Sequence, residues 1–202
     1  MKTEDPRKAY WNEKYMEYWR ARVSEAGKGN SAVVKGDLRT EDINIYKEVF
    51  SFNPFNPGSV IDVGCAWGRM FHLYHKHNMQ VSGVDISAAM VNSARMQWIN
   101  YDWVTCIEES SAELLPFSDL SFDNLVCLAT FDATYQNQAM NEFLRVTRPG
   151  ALIYITGKHN KYSLEDVPAL EAEAGARSKG HPNHFTDTLE FISLMLDQGH
   201  NL

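Results

Sequence analysis

Two aspartates and two glycines have the residue types and the spacing of a nucleoside-binding turn. The segment Val60–Met70 combines a short apolar run ending in an acid, a turn marked by Gly64 and Gly68, and the start of an amphipathic stretch. Glycine has no Cβ, so a ligand can approach the backbone of such a turn at a helix N-terminus. Asp85 ends the next apolar run. In a βαβ unit, an acid about 20 residues beyond the glycines lies beside the ribose of a bound nucleoside.

Alternating strand and helix patterns surround this turn and must position it. We predict strands at 59–63, 80–84, 103–107, 122–128 and 151–156, and helices at 68–77, after Ser87, and at 137–146. This alternation predicts an α/β fold of three layers, α/β/α, around a mostly parallel sheet. Ligands of such sheets bind beyond the carboxyl ends of the strands, where the strand order switches.

The 202 residues predict a single domain with three parts. These are an N-terminal helical cap (1–57), a cofactor-binding core (58–160) and a helical C-terminal segment (161–202), the last with helices at 164–174 and 187–198. The cap contains helical patterns at 8–22 and 40–50, and the first of them carries an aromatic stripe: Tyr10, Trp11, Tyr15, Tyr18 and Trp19. This stripe either packs against the rest of the domain or covers the ligand site as a lid. His181 and His184 either line that lid or are ordinary exposed loop residues.

Composition excludes several classes of function. The net charge is −7, and residues 61–202 hold 17 acidic and 9 basic side chains, which makes DNA or RNA a poor partner. No apolar run is long enough to span a membrane, and the polar N-terminus lacks the apolar core of a signal peptide. The three cysteines are scattered, with no zinc-binding spacing, so we expect no metal site and a reducing, cytoplasmic setting.

Two common nucleotide motifs fit this turn poorly. A nicotinamide or flavin fingerprint requires G-x-G-x-x-G, but Ala66 stands between Gly64 and Gly68. A phosphate-binding P-loop fails as well, because no Gly-Lys-Ser/Thr follows.

The chain resembles the class I S-adenosylmethionine-dependent methyltransferases, nearest the branch that methylates small molecules. The resemblance covers residues 58–160 and rests on five segments in order: Asp62-Val63-Gly64-Cys65-Ala66-Trp67-Gly68, Val84-Asp85-Ile86-Ser87, Ser111-Ala112-Glu113-Leu114-Leu115-Pro116-Phe117, Ser121-Phe122-Asp123-Asn124-Leu125-Val126 and Leu144-Arg145-Val146-Thr147-Arg148-Pro149-Gly150-Ala151-Leu152. Ala66 departs from the family pattern, which has glycine there. The resemblance implies a Rossmann-like fold, S-adenosylmethionine as methyl donor and S-adenosylhomocysteine as product.

The resemblance also implies roles for individual residues. The backbone from Gly64 through Cys65 and Ala66 to Gly68 would hold the methionine part, anchored by Asp62. Asp85 would accept hydrogen bonds from both ribose hydroxyls, because each carboxylate oxygen is an acceptor. The remaining cofactor-binding candidates are Ile86 and Met90 on the adenine face, Ala112 and Glu113 at the adenine edge, and the carbonyl region of Leu128 at the methionine ammonium. Met90 is equally well explained as a core residue.

The implied reaction is an in-line displacement of a methyl group from a sulfonium to a small-molecule acceptor. The protein must align the nucleophile, which is an O, N or C atom, and exclude water. A hydroxyl acceptor would use a general base. Asp132 and His159 follow the fourth and fifth strands and are the catalytic candidates; the alternative is that both are solvated loop residues.

Family members usually add a strand hairpin after the last helix. The sequence ends at Gly199-His200-Asn201-Leu202, so we expect this hairpin to be missing or truncated and the fifth strand to be an open edge. A homodimer or a partner chain would pair there. The alternative function is therefore a non-catalytic or partner-dependent interaction module with the methyltransferase fold. Nicotinamide binding would revive a third hypothesis, an oxidoreductase.

Overall fold

A parallel sheet carries the elements of the candidate site. The computed structural model describes residues 5–13, 48–160, 165, 167–178, 181–182 and 185–200. Its strands are β1 (Ser59–Val63), β2 (Gln80–Asp85), β3 (Val104–Glu109), β4 (Phe122–Cys127) and β5 (Thr147–Ile155). They lie in the order β3-β2-β1-β4-β5, and every neighbouring pair is parallel. The order switches between β1 and β4, where open α/β sheets form their ligand crevice.

Helices cover both faces of this sheet. They are α1 (Phe71–Lys76), α2 (Ala88–Trp98), α3 (Gln136–Val146), α4 (Val167–Ser178) and α5 (Thr188–Asp197), with a 3-10 turn at Phe131–Ala133. Residues 6–13 and 48–52 are helical as well. Ser87 caps α2 by accepting the Met90 N–H, as its sequence position predicts.

Strand alternation divides the core between the two faces. Val60 and Val81 pack on one face with α1 and α2, whereas Ile61, Val63 and Val84 pack on the other with α3 and α5. All five of these side chains are buried. A sheet buried on both faces explains why its strands are almost continuously apolar in sequence. The predicted three-layer α/β/α fold is confirmed.

Local geometry moves several element boundaries. Helix α1 begins at Phe71 rather than residue 68, because Ala66 and Gly68 adopt positive φ angles of 50° and 75°, which a right-handed helix cannot contain. Strand β3 begins one residue later and ends two residues later than predicted. Strand β5 starts at Thr147, which pairs with Phe122 before the register shifts. Helix α4 lies three to four residues beyond its predicted bounds.

The N-terminal helix and the edge of the sheet are described in part. The predicted aromatic helix is described only at residues 6–13; Tyr15, Tyr18 and Trp19 lie outside the described residues, as does His184. Among the described strands, β5 forms one edge of the sheet and pairs only with β4. In the part of the chain that the structure describes, no helix has the length and apolar character needed to cross a membrane.

Candidate active site

A cleft opens at the carboxyl ends of the strands, at the switch between β1 and β4. The lining residues come from the loops after four strands and from the N-terminal helical segment: Arg7, Trp11, Val63, Gly64, Asp85, Ile86, Ser110, Ala112, Ala129, Thr130, Ala133 and Thr134. Four of the predicted cofactor-binding residues therefore meet here, namely Gly64, Asp85, Ile86 and Ala112.

Residue 64 must be glycine for two reasons: its backbone is left-handed, and a side chain there would overlap Thr130. Its φ is +76°, and a Cβ at this position would lie 2.3 Å from Thr130 Oγ1. The Thr130 side chain can lie this close to the backbone of the β1 loop only because residue 64 has no side chain. Glycine thus shapes the wall of the cleft where the two halves of the sheet meet.

The backbone N–H groups of the turn are already engaged. Gly64 and Cys65 both donate to the Val84 carbonyl, at 2.8 and 3.0 Å, and Gly68 donates to the Cys65 carbonyl at 2.9 Å. Ala66 donates to Asp85 Oδ2 at 2.9 Å. A pyrophosphate-binding turn needs such N–H groups for its anion. This turn offers none of the four to an anion, so it is a poor site for a phosphate.

Asp85 is a buried carboxylate with remaining acceptor capacity. Its Oδ1 accepts the Ser87 N–H at 2.8 Å and its Oδ2 accepts the Ala66 N–H. A carboxylate has about four lone-pair sites, so each oxygen can accept a further hydroxyl. Burial raises the pKa of Asp85 to about 6, although the backbone hydrogen bonds lower it. The group is therefore mainly ionised at pH 7.

Asp62 is buried behind the turn with one oxygen unsatisfied. Its Oδ2 has no hydrogen-bond partner among the described residues. The neighbouring Tyr74 hydroxyl lies outside hydrogen-bond geometry, although it is close enough to favour the ionised form. Burial is the largest influence and raises the pKa of Asp62 to about 7. A buried acceptor that lacks a donor is what an absent cationic ligand would leave.

These two raised pKa values predict how stability depends on pH. Between about pH 4 and pH 7 the folded protein keeps protons that the unfolded chain releases, so Asp62 and Asp85 make the free energy of unfolding fall as pH rises. We expect Asp62→Asn to raise the unfolding free energy of the ligand-free protein at pH 8 by at least about 1 kcal/mol, because one pKa unit corresponds to roughly 1.4 kcal/mol. Urea denaturation at pH 5 and pH 8 measures this change.

The matched control is the exposed Asp102, whose change to Asn should leave both stabilities unchanged. Groups with lowered pKa values, such as Asp5 and Asp123, titrate below this window and do not contribute to it. Equal stabilisation by Asp62→Asn at pH 5 and pH 8 would contradict the assigned ionisation.

Several predicted cofactor residues lie behind the cleft rather than along it. Cys65 is buried in the core on the α1 face. Met90 is completely buried against Ala66 and Trp67, so it supports the turn from within. The Leu128 carbonyl accepts the Thr130 hydroxyl at 3.1 Å. Their roles toward a ligand stay predictions.

Glu113 points toward Arg7 instead of lining the cleft. Its carboxylate accepts two hydrogen bonds from the Arg7 guanidinium, at 2.7 and 3.1 Å, and one from the Tyr135 N–H at 2.7 Å. The adjacent Ala112 and Ser110 are the cleft residues of this loop.

The two catalytic candidates do not line the cleft. Asp132 is buried and its Oδ2 binds the Lys158 ammonium at 2.7 Å. His159 is exposed and pairs with Thr186 in an isolated parallel bridge. A general-base role stays a prediction for both residues. The side chains that reach the cleft near Asp132 are Ala133 and Thr134.

The N-terminal segment provides a roof over the cleft. Arg7 and Trp11 both line the cleft, and the Tyr10 ring contacts the buried His181 ring at an interplanar angle of 38°, with centroids 4.5 Å apart. The aromatic stripe predicted such a covering helix as one of two alternatives, but no sequence pattern indicated that Arg7 would line the cleft. Thr130 was missed as well; the available signal was its position three residues after β4.

The comparisons with known proteins agree with this geometry. Residues 61–155 match the family model described as "Methyltransferase domain". Over this region, just under half of its length, the chain is similar to the class I S-adenosylmethionine-dependent methyltransferases. This confirms the resemblance that the five sequence segments indicated.

The curated relatives that the chain matches are named for different kinds of acceptor. Malonyl-[acyl-carrier protein] O-methyltransferase of Pseudescherichia vulneris is 30% identical over 135 residues, covering 64% of this chain and 49% of that protein. Ubiquinone/menaquinone biosynthesis C-methyltransferase UbiE of Hahella chejuensis is 35% identical over 103 residues, covering 48% of this chain and 41% of that protein. The chain thus spans about half the length of the curated relatives it matches.

A solved structure shares the fold. The methyltransferase crystallised with the Trm112 methyltransferase activator of Haloferax volcanii superposes with a TM-score of 0.63 and 18% identity. The match covers 88% of this chain and 75% of that one. At this level of identity, the likeness supports the three-layer fold alone.

Proposed function

We propose that this chain binds S-adenosylmethionine in the cleft and transfers its methyl group to a small-molecule acceptor. The observation that carries the proposal is the cleft itself. Gly64, Asp85, Ile86 and Ala112 meet there from the ends of β1, β2 and β3 and the loops after them, and the amide N–H groups of the Gly64 turn are engaged. A turn without available N–H groups, beside the Asp85 carboxylate, suits a nucleoside with hydroxyl donors better than a dinucleotide with a pyrophosphate.

The residues present fit the parts of this methyl donor. Asp85 would accept both ribose hydroxyls through its remaining lone pairs. Ile86 supplies an apolar surface for the adenine ring, and the Ala112 loop lies along the adenine edge. Asp62, with its unsatisfied oxygen, would support the methionine ammonium from behind the turn. Neutralising this buried charge would also stabilise the fold.

S-adenosylmethionine would supply a methyl group on a positively charged sulfur: the acceptor nucleophile would bond to the methyl carbon in line as the carbon–sulfur bond breaks, and S-adenosylhomocysteine would leave. The protein's work is to hold the acceptor on that axis and to exclude water. The part of the cleft beyond Gly64 is formed by Ala129, Thr130, Ala133 and Thr134. These small side chains leave room for an acceptor molecule. The hydroxyls of Thr130 and Thr134 donate to the Leu128 and Phe131 carbonyls, so they can position it as hydrogen-bond acceptors.

The acceptor is proposed as a small molecule without a further restriction on the attacked atom. One relative is named an O-methyltransferase and the other a C-methyltransferase, so the relatives support both oxygen and carbon nucleophiles. A carboxylate oxygen needs no base, because it is already ionised at neutral pH. A ring carbon or hydroxyl needs a proton acceptor, for which Asp132 and His159 remain the candidates.

The test is the formation of S-adenosylhomocysteine from S-adenosylmethionine, measured by mass spectrometry. Acyl thioesters with a terminal carboxylate and hydroxylated aromatic rings are offered in parallel. Product that accumulates only with an acceptor present supports the proposal. If the donor binds but no acceptor is methylated, the non-catalytic or partner-dependent alternative gains support.

The edge position of β5 favours that alternative as a second candidate function. A parallel edge strand presents unpaired backbone groups to another chain. A homodimer or a partner pairing at this edge would change the molecular mass in light scattering. A monomer that binds and methylates unaided would remove the need for a partner.

A further inference from the structure

A buried ion pair fastens the N-terminal helical segment over the cleft. Arg7 Nη1 donates to Glu113 Oε1 at 2.7 Å and Nη2 donates to Oε2 at 3.1 Å. Each of the two side chains is only 7% exposed. Such a pair is little screened by salt, and bidentate geometry makes it stronger than an exposed pair.

Glu113 joins this roof to the opposite wall of the cleft. The same Oε1 accepts the Tyr135 N–H at 2.7 Å, and the Arg7 guanidinium lies over the Tyr135 ring, 4.9 Å from its centroid. Tyr135 directly follows Thr134, which lines the cleft. One carboxylate therefore holds together segments that are more than 100 positions apart in sequence.

The other attachments of the segment lie farther from the cleft. Lys8 pairs with Glu109 at 2.5 Å, but both side chains are about one-third exposed. Asn12 Oδ1 accepts the Ser87 hydroxyl at 2.6 Å, at the start of α2. Neither Lys8 nor Asn12 lines the cleft, whereas Arg7 does.

We propose that Glu113 is a positioning residue that holds the N-terminal segment over the cleft through its ion pair with Arg7. We call this ion pair the clasp, and its breaking gates ligand entry and departure. The proposal rests on the proposed function, because the gated ligand is S-adenosylmethionine. Arg7 and Trp11 line the same cleft as Asp85, so a molecule held at Asp85 shares the cleft with them. Glu113 then controls access without touching the ligand.

A gate and a direct contact change binding kinetics differently. If Glu113 only holds the roof shut, its loss raises the association and dissociation rate constants of S-adenosylhomocysteine together, and Kd changes little. If Glu113 instead contacts the adenine, its loss raises the dissociation rate constant alone and weakens binding. The two roles are therefore separable in one experiment.

Stopped-flow fluorescence with S-adenosylhomocysteine is the test. We expect Glu113→Gln to raise both rate constants about tenfold or more, the range in which one charged hydrogen bond changes an equilibrium, with Kd within about threefold. The matched control Lys8→Gln removes an exposed pair of the same segment and should leave both rate constants unchanged. Unchanged rate constants in Glu113→Gln, or a rise in dissociation alone, would overturn the gate.

Hydrogen exchange on the ligand-free protein tests the clasp without any ligand. Glu113→Gln should speed amide exchange in residues 8–13 about tenfold, whereas Lys8→Gln should not. Glu113→Asp, which keeps the carboxylate, should exchange more slowly than Glu113→Gln, a difference that a merely misfolded variant would not show. Absence of S-adenosylhomocysteine binding by the unmodified protein would refute the proposed function and the gated ligand. Unchanged exchange in Glu113→Gln would refute the clasp itself.

Discussion

Asp85→Ala is expected to weaken S-adenosylhomocysteine binding at least about 100-fold. The variant removes the acceptors proposed for both ribose hydroxyls, and each hydrogen bond to a charged group contributes about 1.5–3 kcal/mol. It also frees the Ala66 and Ser87 N–H groups that the carboxylate now accepts. Isothermal titration calorimetry of the variant and the unmodified protein measures the change.

Two controls separate the ribose contacts from the fold. Asp102→Ala removes an exposed carboxylate and should leave Kd unchanged. Asp85→Asn keeps the side-chain shape, so it should fold like the unmodified protein yet bind at least tenfold more weakly. Binding by Asp85→Ala within a few-fold of the unmodified protein would contradict the ribose role.

The same carboxylate gives the interaction a pH dependence. Burial raises the pKa of Asp85 to about 6, so the ionised acceptor is present above that pH and is lost as pH falls through it. Asp62, whose pKa is raised to about 7, also loses its negative charge as pH falls through that value. Affinity should therefore decline between pH 7.5 and pH 5, even though the ligand-free fold gains stability from these two groups over the same interval.

Gly64→Ala is the second substitution with a large expected effect. Its Cβ would enter a left-handed backbone position that costs about 1–2 kcal/mol and would overlap the Thr130 side chain, at a further cost of about 1–3 kcal/mol. Because Thr130 lines the cleft, we also expect binding of S-adenosylhomocysteine to weaken at least tenfold. Chemical denaturation and calorimetry measure the two effects.

Gly150→Ala is the matched control for backbone strain alone. Gly150 has a similar φ of +83°, but a Cβ there would meet nothing within 4 Å. We expect Gly150→Ala to cost only about 1–2 kcal/mol and to bind normally. Adding Thr130→Ala to Gly64→Ala should recover part of the lost stability. Equal costs for Gly64→Ala and Gly150→Ala would contradict the close approach of the β1 and β4 loops.

The turn and its acid could be predicted because their geometry is local. Gly64 follows β1, Asp85 ends β2, and the parallel register pairs Asp62 with Gly83, so sequence spacing alone brings the two loops together. Ser87 at the start of α2 was readable for the same reason, since a cap acts within one helical turn.

The rest of the site depends on contacts between distant segments. Glu113 fitted a family motif, but its partner Arg7 lies 106 positions away and no local pattern indicates their pairing. Asp132 had the position of a general base, and its pairing with Lys158 arises only when the loops after β4 and β5 meet. Helical spacing also left Met90 equally consistent with the core and with the cofactor; in the fold it is fully buried.

Calorimetric titration of the unmodified protein with S-adenosylhomocysteine, and separately with NADH, tests the central claim most directly. A turn with engaged amide N–H groups and buried carboxylates predicts one S-adenosylhomocysteine site of micromolar Kd and no NADH binding. Folded protein that gives no heat with S-adenosylhomocysteine, or that binds NADH more tightly, would contradict the assignment of this cleft.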